Sequence, residues 1–178
     1  MIQQVLSFWF ERHGPDHWWA KDPAFDAAIR SEFGALHDRA ARGELHDWRA
    51  SPDGRLAEII VLDQFSRNLY RDDPRAFACD GMALVLAQEA VRARADRAVA
   101  HERRKFFYMP YEHSESRAIH EIAVTLFGSL DDPESLKYEL QHKAIVDRFG
   151  RYPHRNKVLS RESTADEIAF LKTPGSSF

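Results

Sequence analysis

Acidic and imidazole side chains follow a stretch of bulky apolar residues near the middle of the chain. The segment RKFFYMPYEHSES, residues 104–116, brings Glu112, His113 and Glu115 directly behind an aromatic run. A solvated loop has no need of the aromatic residues, and a core disfavours the charges. We therefore expect burial of the aromatic run to carry these polar groups to the edge of the core, where carboxylate and imidazole can exchange protons with a ligand.

Two further carboxylates face inward in predicted helices. Asp63 and Arg67 lie four residues apart on an apolar helix face, so they can form an ion pair. Asp80 falls in the apolar stripe of the following segment beside Gly81, a residue that we attribute to the close approach of another helix. Because an isolated charge in a core is costly, these groups must be paired or must line a wet cleft.

A third polar segment, RFGRYPHRN, follows the predicted end of a helix at Gly150. It is rich in planar cations and hydrogen-bond donors, namely Arg151, Tyr152, His154, Arg155 and Asn156. Arginine suits buried carboxylates because its planar fork can bind both oxygens. We expect Arg67, Arg151 and Arg155 to be the counter-cations of Asp63, Asp80 and Glu115.

Helix start and stop signals position all of these residues. An Asp or Ser precedes Pro at positions 22, 51, 73 and 132, and Thr164 and Glu167 have the spacing of a capping box. Alternating strand patterns are lacking. The signals predict an all-α fold of antiparallel helix hairpins in a single domain, residues 1–178, with a frayed tail. The predicted helices span residues 2–10, 23–41, 52–70, 74–95, 100–108, 114–127, 133–149 and 165–171, and the tail spans 172–178.

Composition excludes several classes of protein. The 178 residues are 44% hydrophobic, which is enough for one domain with its own core. Cys79 is the only cysteine, so neither an intrachain disulfide nor a cysteine-based zinc site can form. A net charge of −3 argues against nucleic acid as a partner. Without an export signal or a membrane-length apolar run, the expected location is the cytoplasm, away from membranes.

Other sites are less favoured by the pattern. Glu112, His113, Glu115 and His154 lack the spacing of a helical zinc site, so we expect neither metal nor cofactor. Cys79 is interpreted as a small core residue. The basic stretch 92–105 is interpreted as a solvated helix face, with an acidic partner or RNA as the alternative. The tryptophans are interpreted as core and rim packing.

Three long motifs together resemble a known family. The segments LDQFSRNLYRDDPRAFACD, FFYMPYEHSES and FGRYPHRNKVLSRESTADE are similar to bacterial domain-of-unknown-function family 924, and the likeness extends over nearly the whole chain. The resemblance implies a tetratricopeptide-like α-α superhelix, and it implies no reaction. Two positions depart from the family pattern: His120 replaces an expected Gln, and Ser160 replaces an expected Gly, which suggests a different turn before Arg161.

Three functional hypotheses remain open from the sequence. In the first, the protein binds a small anionic or zwitterionic ligand, or a peptide terminus. Its acid group would lie on Arg67, Arg151 and Arg155, with Asp63, Asp80, Glu112, Glu115, His113, His154 and Asn156 around it and Phe106, Phe107 and Tyr152 as walls. In the second, the cleft is that of a hydrolase in which Glu115, its pKa raised by burial, is the general base and His113 or His154 the acid. In the third, the ion pairs are structural and the protein is an interaction scaffold. The oligomeric state is left open.

Overall fold

The computed structural model describes residues 1–176, which form helices and turns without any β-strand. The chain is a succession of short and long helices joined by tight connections. The α-helices are α1 Ile2–Ser7, α2 Pro15–Trp18, α3 Pro23–Ala41, α4 Pro52–Leu69, α5 Asp80–Arg92, α6 Lys105–Glu112, α7 Arg117–Gly128, α8 Pro133–Phe149 and α9 Ala165–Phe170. A π-helical turn, Phe8–Arg12, extends α1, and 3-10 turns occupy His46–Ala50, Pro74–Phe77, Ala95–Ala98, His101–Arg103 and Pro153–Arg155.

The predicted all-α class is confirmed, and the start signals act as expected. Ser51 Oγ accepts from Gly54 N at the start of α4, and Thr164 and Glu167 form a complete capping box at α9. Gly150 ends α8 with φ 71°, the left-handed conformation that glycine favours.

Three predicted helices differ from the structure. The span 114–127 begins only at Arg117, so Glu115 lies before α7 and not in its first turn. The span 74–95 is broken after the turn Pro74–Phe77, so Asp80 is the first residue of α5 and not an interior one. The span 100–108 ends too early, because α6 continues through Pro110 to Glu112. A proline removes one helical hydrogen bond, but every residue from Phe106 to Glu112 is buried, and this burial keeps the segment helical.

The central element is α4, which packs against α1, α3, α5 and α6. Its apolar residues are buried on both sides, with Leu56, Ile60 and Phe65 at 0% exposure. Because neighbours surround it, its polar residues are buried as well, including Glu58, Asp63 and Asn68. Arg49 holds Glu58 through two hydrogen bonds of 2.8 and 2.7 Å.

Aromatic residues of the N-terminal segment form one cluster away from the polar motifs. Trp9 is fully buried and stacks on Trp18, with ring centroids 5.8 Å apart, while Trp19 is exposed at the rim. Lys105, from the basic stretch, lies 5.4 Å from the Trp18 ring. Cys79 is buried in the core, and burial raises the pKa of its thiol, so its interpretation as a core residue is confirmed.

The predicted frayed tail, 172–178, is described as far as residue 176. Ser176 Oγ donates to the Leu171 carbonyl oxygen at 3.2 Å, and residues 177–178 lie outside the described residues. None of the helices in the described part is long and apolar enough to cross a membrane.

The start of α4 leaves no room for a side chain at Gly54. A Cβ there would lie 2.0 Å from the Trp48 carbonyl oxygen. We therefore expect Gly54→Ala to lower the free energy of unfolding by about 1–3 kcal/mol, as overpacking does. Gly34→Ala is the control, since a Cβ at Gly34 meets nothing within 4 Å. The higher helix propensity of alanine should raise the free energy of unfolding of this variant by up to about 1 kcal/mol. Urea unfolding measures both, and equal stabilities would contradict the clash.

Candidate functional site

A cleft of ≈ 320 Å³ opens where the start of α5, the end of α6 and the turn Pro153–Arg155 meet. Its polar lining includes Asp80, His113, Glu115 and Arg155. Its apolar lining consists of Pro74, Phe77, Ala78, Gly81, Leu84, Pro110 and Leu159. The volume falls within the range typical of small-molecule sites, roughly 300–1,000 Å³.

Arg67 lies under the cleft and joins two of the predicted inward acids. Its Nη1 and Nη2 donate to Asp80 Oδ1 and Oδ2 at 3.0 and 3.2 Å. Nη1 also lies 3.3 Å from Asp63 Oδ1, so the predicted Asp63–Arg67 pair is confirmed. Burial disfavours the charge on Arg67, but the two carboxylates outweigh it and raise the pKa of the guanidinium. Arg67 is therefore a fixed cation whose two terminal nitrogens are already engaged.

Arg155 is the second buried cation of the cleft, and it is only partly engaged. It is 6% exposed, and its Cζ lies 4.6 Å from the Phe77 ring centroid and 4.5 Å from that of Tyr152. Its Nη1 donates to Asp80 Oδ2 at 3.2 Å. Its Nε is buried without a hydrogen-bond partner among residues 1–176. Burial, followed by the charge of Arg67, lowers the pKa of this guanidinium.

His113 ends α6 and is held by Asp63 of α4. The distance from His113 Nδ1 to Asp63 Oδ1 is 2.7 Å, and Gln64 Nε2 donates to Asp63 Oδ2 at 2.6 Å. Burial opposes ionisation of Asp63, but His113 and Arg67 outweigh it and hold the pKa of this carboxyl well below its usual range. Burial and then Arg67 lower the pKa of His113. The pair is thus an ionised carboxylate beside a neutral imidazole.

Glu115 is bound by a partner that the sequence did not reveal. Arg161 Nη1 and Nη2 donate to its two carboxylate oxygens at 2.6 and 2.8 Å, and Tyr152 N donates to Oε1 at 2.7 Å. Burial would raise the pKa of Glu115, but these bonds outweigh it and lower the pKa. The predicted raised pKa is therefore wrong. The cation paired with this acid is Arg161 and not Arg67, Arg151 or Arg155, although the charge of Arg155 also lowers its pKa.

A second polar layer lies behind the cleft. Glu112 is 5% exposed and its Oε1 lies 3.5 Å from His142 Nδ1. Burial, then the charges of Glu139 and Asp63, raise the pKa of Glu112 well above its usual value. His120 is fully buried, with Nδ1 2.8 Å from Glu139 Oε1 and Nε2 2.9 Å from the Ser114 carbonyl oxygen. His120, which replaces the Gln expected from the family pattern, thus lies in this layer. Glu112 was predicted to be in the site but is absent from the lining of the cleft.

Other predicted site residues are engaged elsewhere. Arg151 binds Glu167 through Nε and Nη2 at 2.7 and 2.8 Å, so its expected pairing with an inward acid is wrong. Asn156 is 1% exposed and contacts Glu167 and Arg161. His154 is absent from the lining of the cleft, and burial lowers its pKa to about 4.

The predicted walls are partly wrong. Phe106 packs into the N-terminal aromatic cluster, 4.8 Å from Trp18 by ring centroids, and Phe107 is 0% exposed in the core. Tyr152 is 0% exposed and contacts residues of the cleft through its stacking on Arg155 and through the bond from its backbone N to Glu115. The close approach expected at Gly81 is also wrong, because a Cβ there would meet nothing within 4 Å.

Arg161 and Phe77 are the contributors that sequence reasoning missed. The only hint of Arg161 in the sequence was the replacement of the family's expected Gly by Ser160 just before it. Ser160 adopts φ 55°, in the region that glycine favours. The turn is thus the one that glycine would make. Within residues 1–176, no group of three or more potential ligands is arranged to hold a metal ion.

Comparison with known proteins assigns the chain to a family. The model of the family described as a bacterial protein of unknown function (DUF924) matches residues 5–175. The chain belongs to this family. It is also similar to the solved structure of a protein of unknown function from Agrobacterium tumefaciens, with a TM-score of 0.92 and 38% identity over 96% of each chain. A comparison with curated proteins found no significant match. The fold is therefore shared with a protein of known structure.

Arg67 and Arg155 should differ in their effect on stability. Arg67→Met leaves Asp63 and Asp80 buried without their main cation, so we expect a loss of about 3–5 kcal/mol of unfolding free energy. Arg155→Met leaves both Arg67–Asp80 bonds in place and keeps an apolar side chain between the rings, so we expect a change below about 1 kcal/mol. Urea unfolding measures both, and equal losses would contradict this division.

The Glu115–Arg161 pair should make stability depend on pH. A carboxyl with a lowered pKa in the folded state contributes stability above its unfolded pKa, roughly 4.3, and loses it as the pH falls through the folded value. Arg161→Met should therefore cost about 1–3 kcal/mol at pH 7 and less below pH ~4. Urea unfolding at the two pH values tests this. Lys157→Met, which removes an exposed cation from the same segment, is the control and should show no such pH dependence. An equal loss of stability at both pH values in Arg161→Met would contradict the prediction.

Proposed function

We propose that the protein binds a small ligand bearing a carboxylate, with Arg155 as the group that receives it. The observation that carries the proposal is the incomplete engagement of Arg155. This guanidinium is 6% exposed and has one hydrogen bond within residues 1–176, from Nη1 to Asp80. A buried donor without a partner costs free energy, roughly 1–3 kcal/mol, which a ligand oxygen would recover.

The free edge of Arg155 has the shape that other arginines in this chain use for carboxylates. Arg49 binds Glu58 through Nε and Nη2, and Arg151 binds Glu167 through the same two nitrogens. On Arg155, Nη1 donates to Asp80, and the other edge is formed by Nε, which has no hydrogen-bond partner within residues 1–176, and by Nη2 beside it. A carboxylate matches this fork with two parallel hydrogen bonds.

The rest of the cleft suits a small ligand with an apolar body. Phe77 and Tyr152 hold the guanidinium in a fixed plane, so little side-chain entropy is lost on binding. Leu84, Pro110 and Leu159 supply apolar surface. Arg67 holds Asp80 by two bonds, so the carboxylate that binds Arg155 has a second cation against it, which weakens its repulsion of an anion.

The other hypotheses are less well supported in their original form. A hydrolase that uses Glu115 as its base requires a carboxylate free to take a proton, whereas three donors hold Glu115 and lower its pKa. A scaffold would need no unengaged donor on Arg155.

The tetratricopeptide-like superhelix remains our proposal for the architecture, supported by the consecutive packing of α3 on α4, α4 on α5, α6 on α7 and α7 on α8.

Thermal unfolding in the presence of small carboxylates tests the binding site. A ligand at a concentration of 100 times its Kd should add about 2.7 kcal/mol to the free energy of unfolding. This raises Tm by about 5–10 °C for a chain of this size. We expect adipate, succinate or an amino acid to produce such a shift in the wild type. The shift should be absent in Arg155→Met, and also in Gly81→Leu, which fills the cleft without removing a charge.

Arg75→Met is the matched control, because Arg75 is an exposed arginine near the cleft that pairs with Asp73. It should respond to ligand as the wild type does. Failure of every carboxylate to raise the Tm of the wild type, or an undiminished shift in Arg155→Met, would refute the proposed site.

A further inference from the structure

His113 has the arrangement of a catalytic imidazole held by a carboxylate. Its Nδ1 lies 2.7 Å from Asp63 Oδ1, and the ring lines the cleft with 11% of the side chain exposed. The opposite nitrogen, Nε2, has no hydrogen-bond partner within residues 1–176 and is not among their buried unpartnered atoms. Nε2 is therefore the ring atom that meets the solvent of the cleft.

Asp63 is itself fixed from two directions. Gln64 donates to Oδ2 at 2.6 Å, and Arg67 lies 3.3 Å from Oδ1. An ionised carboxylate on Nδ1 selects the tautomer that carries the proton on Nδ1, leaves the Nε2 lone pair free, and stabilises the imidazolium that forms when Nε2 takes a proton. Arg67 and Asp80 also act on the pKa of this ring, and the titratable His142 of α8 lies near it as well.

We propose that His113, positioned by Asp63, is a general base that activates water in the cleft for the hydrolysis of a small ester or amide bearing a carboxylate. This inference rests on the proposed carboxylate site at Arg155. Water is the nucleophile because the described residues that line the cleft include one hydroxyl or thiol side chain, that of Ser114, and it is not placed to be activated by His113. Cys79 is buried in the core, and Ser114 is adjacent to His113 in sequence, so the two do not face each other.

The atoms balance over two steps. The water oxygen bonds to the substrate carbonyl carbon while Nε2 of His113 takes one water proton, which gives a tetrahedral oxyanion and an imidazolium. The bond from carbon to the leaving oxygen or nitrogen then breaks, and the imidazolium returns its proton to that atom. The products are a carboxylic acid and an alcohol or amine, and His113 is neutral again.

Two chromogenic esters of equal length test the proposal. The mono-4-nitrophenyl ester of adipate carries a carboxylate, and 4-nitrophenyl hexanoate has a methyl group in its place. We expect kcat/KM of the wild type to be at least about 10-fold higher for the adipate ester. His113→Gln should lower that value about 100-fold or more, the usual contribution of a general base. His46→Gln controls for reaction of surface histidines, since the side chain of His46 is 69% exposed, and should behave as the wild type.

Asp63 is a positioning residue, and its variant needs a different readout. Because the Asp63 carboxylate raises the pKa of His113, Asp63→Asn should move the acid limb of the kcat/KM profile to lower pH and lower its plateau. A purely structural role would reduce the folded fraction and leave the limb in place. In the folded wild type, the nitrogen-15 imidazole spectrum should show His113 protonated on Nδ1 alone.

Calorimetry with adipate separates this inference from the function on which it rests. Binding of adipate without hydrolysis of either ester above the buffer rate refutes the catalytic role and leaves the carboxylate site standing. Absence of adipate binding refutes the site and, with it, the inference. An undiminished rate in His113→Gln, or a His113 ring protonated on Nε2 alone, also overturns the proposal.

Discussion

The cleft depends on one guanidinium that serves two buried carboxylates. Arg67 binds Asp80 through both terminal nitrogens and lies beside Asp63. Removing three charges from water is costly, and their mutual attraction offsets the cost only while all of them are in place. Asp80 in turn binds Arg155, and Asp63 binds His113. The positions of Arg155 and His113, the two groups that we propose meet a ligand, are therefore set one bond away from the carboxylates that Arg67 binds.

The two polar layers of the molecule are kept in different states of charge. Around the cleft, Asp63 and Glu115 have lowered pKa values because cations lie against them. Behind it, Glu112 has a raised pKa because it is buried near other acids, and burial lowers the pKa of His142 to about 3. Burial thus favours the neutral forms of Glu112 and His142, whereas nearby cations favour the ionised forms of Asp63 and Glu115.

Helical periodicity was sufficient for contacts within one element. It predicted the inward orientation of Asp63 and its pairing with Arg67, because residues four apart on a helix are neighbours whatever surrounds them. The N-caps were equally legible, since a cap involves only a few consecutive residues. The break before Asp80 and the extension of α6 through Pro110 were missed because tertiary burial outweighed local preference at both places.

Ion pairs between residues far apart in the chain could not be predicted from the sequence. The turns after Gly150 offer Arg151, Arg155 and Arg161 within a short segment, and their distribution among Glu167, Asp80 and Glu115 follows from how that segment folds back. A difference of a few residues changes the partner completely. The prediction for Gly81 was wrong for the same reason. The absence of a side chain is compatible both with a closely packed helix and with an open cleft.

The separation of these partners along the chain has a consequence for synthesis at the ribosome. Asp80 and Glu115 receive Arg155 and Arg161 across 75 and 46 residues, whereas α3, α4 and α5 pack as consecutive neighbours. Domains form from the N-terminus as the chain emerges, and distant contacts form only when both ends are present. The helical framework can thus assemble early, but the cleft exists only after residue 161 has left the exit tunnel. A nascent chain that stalls before that point carries the acids without two of their cations.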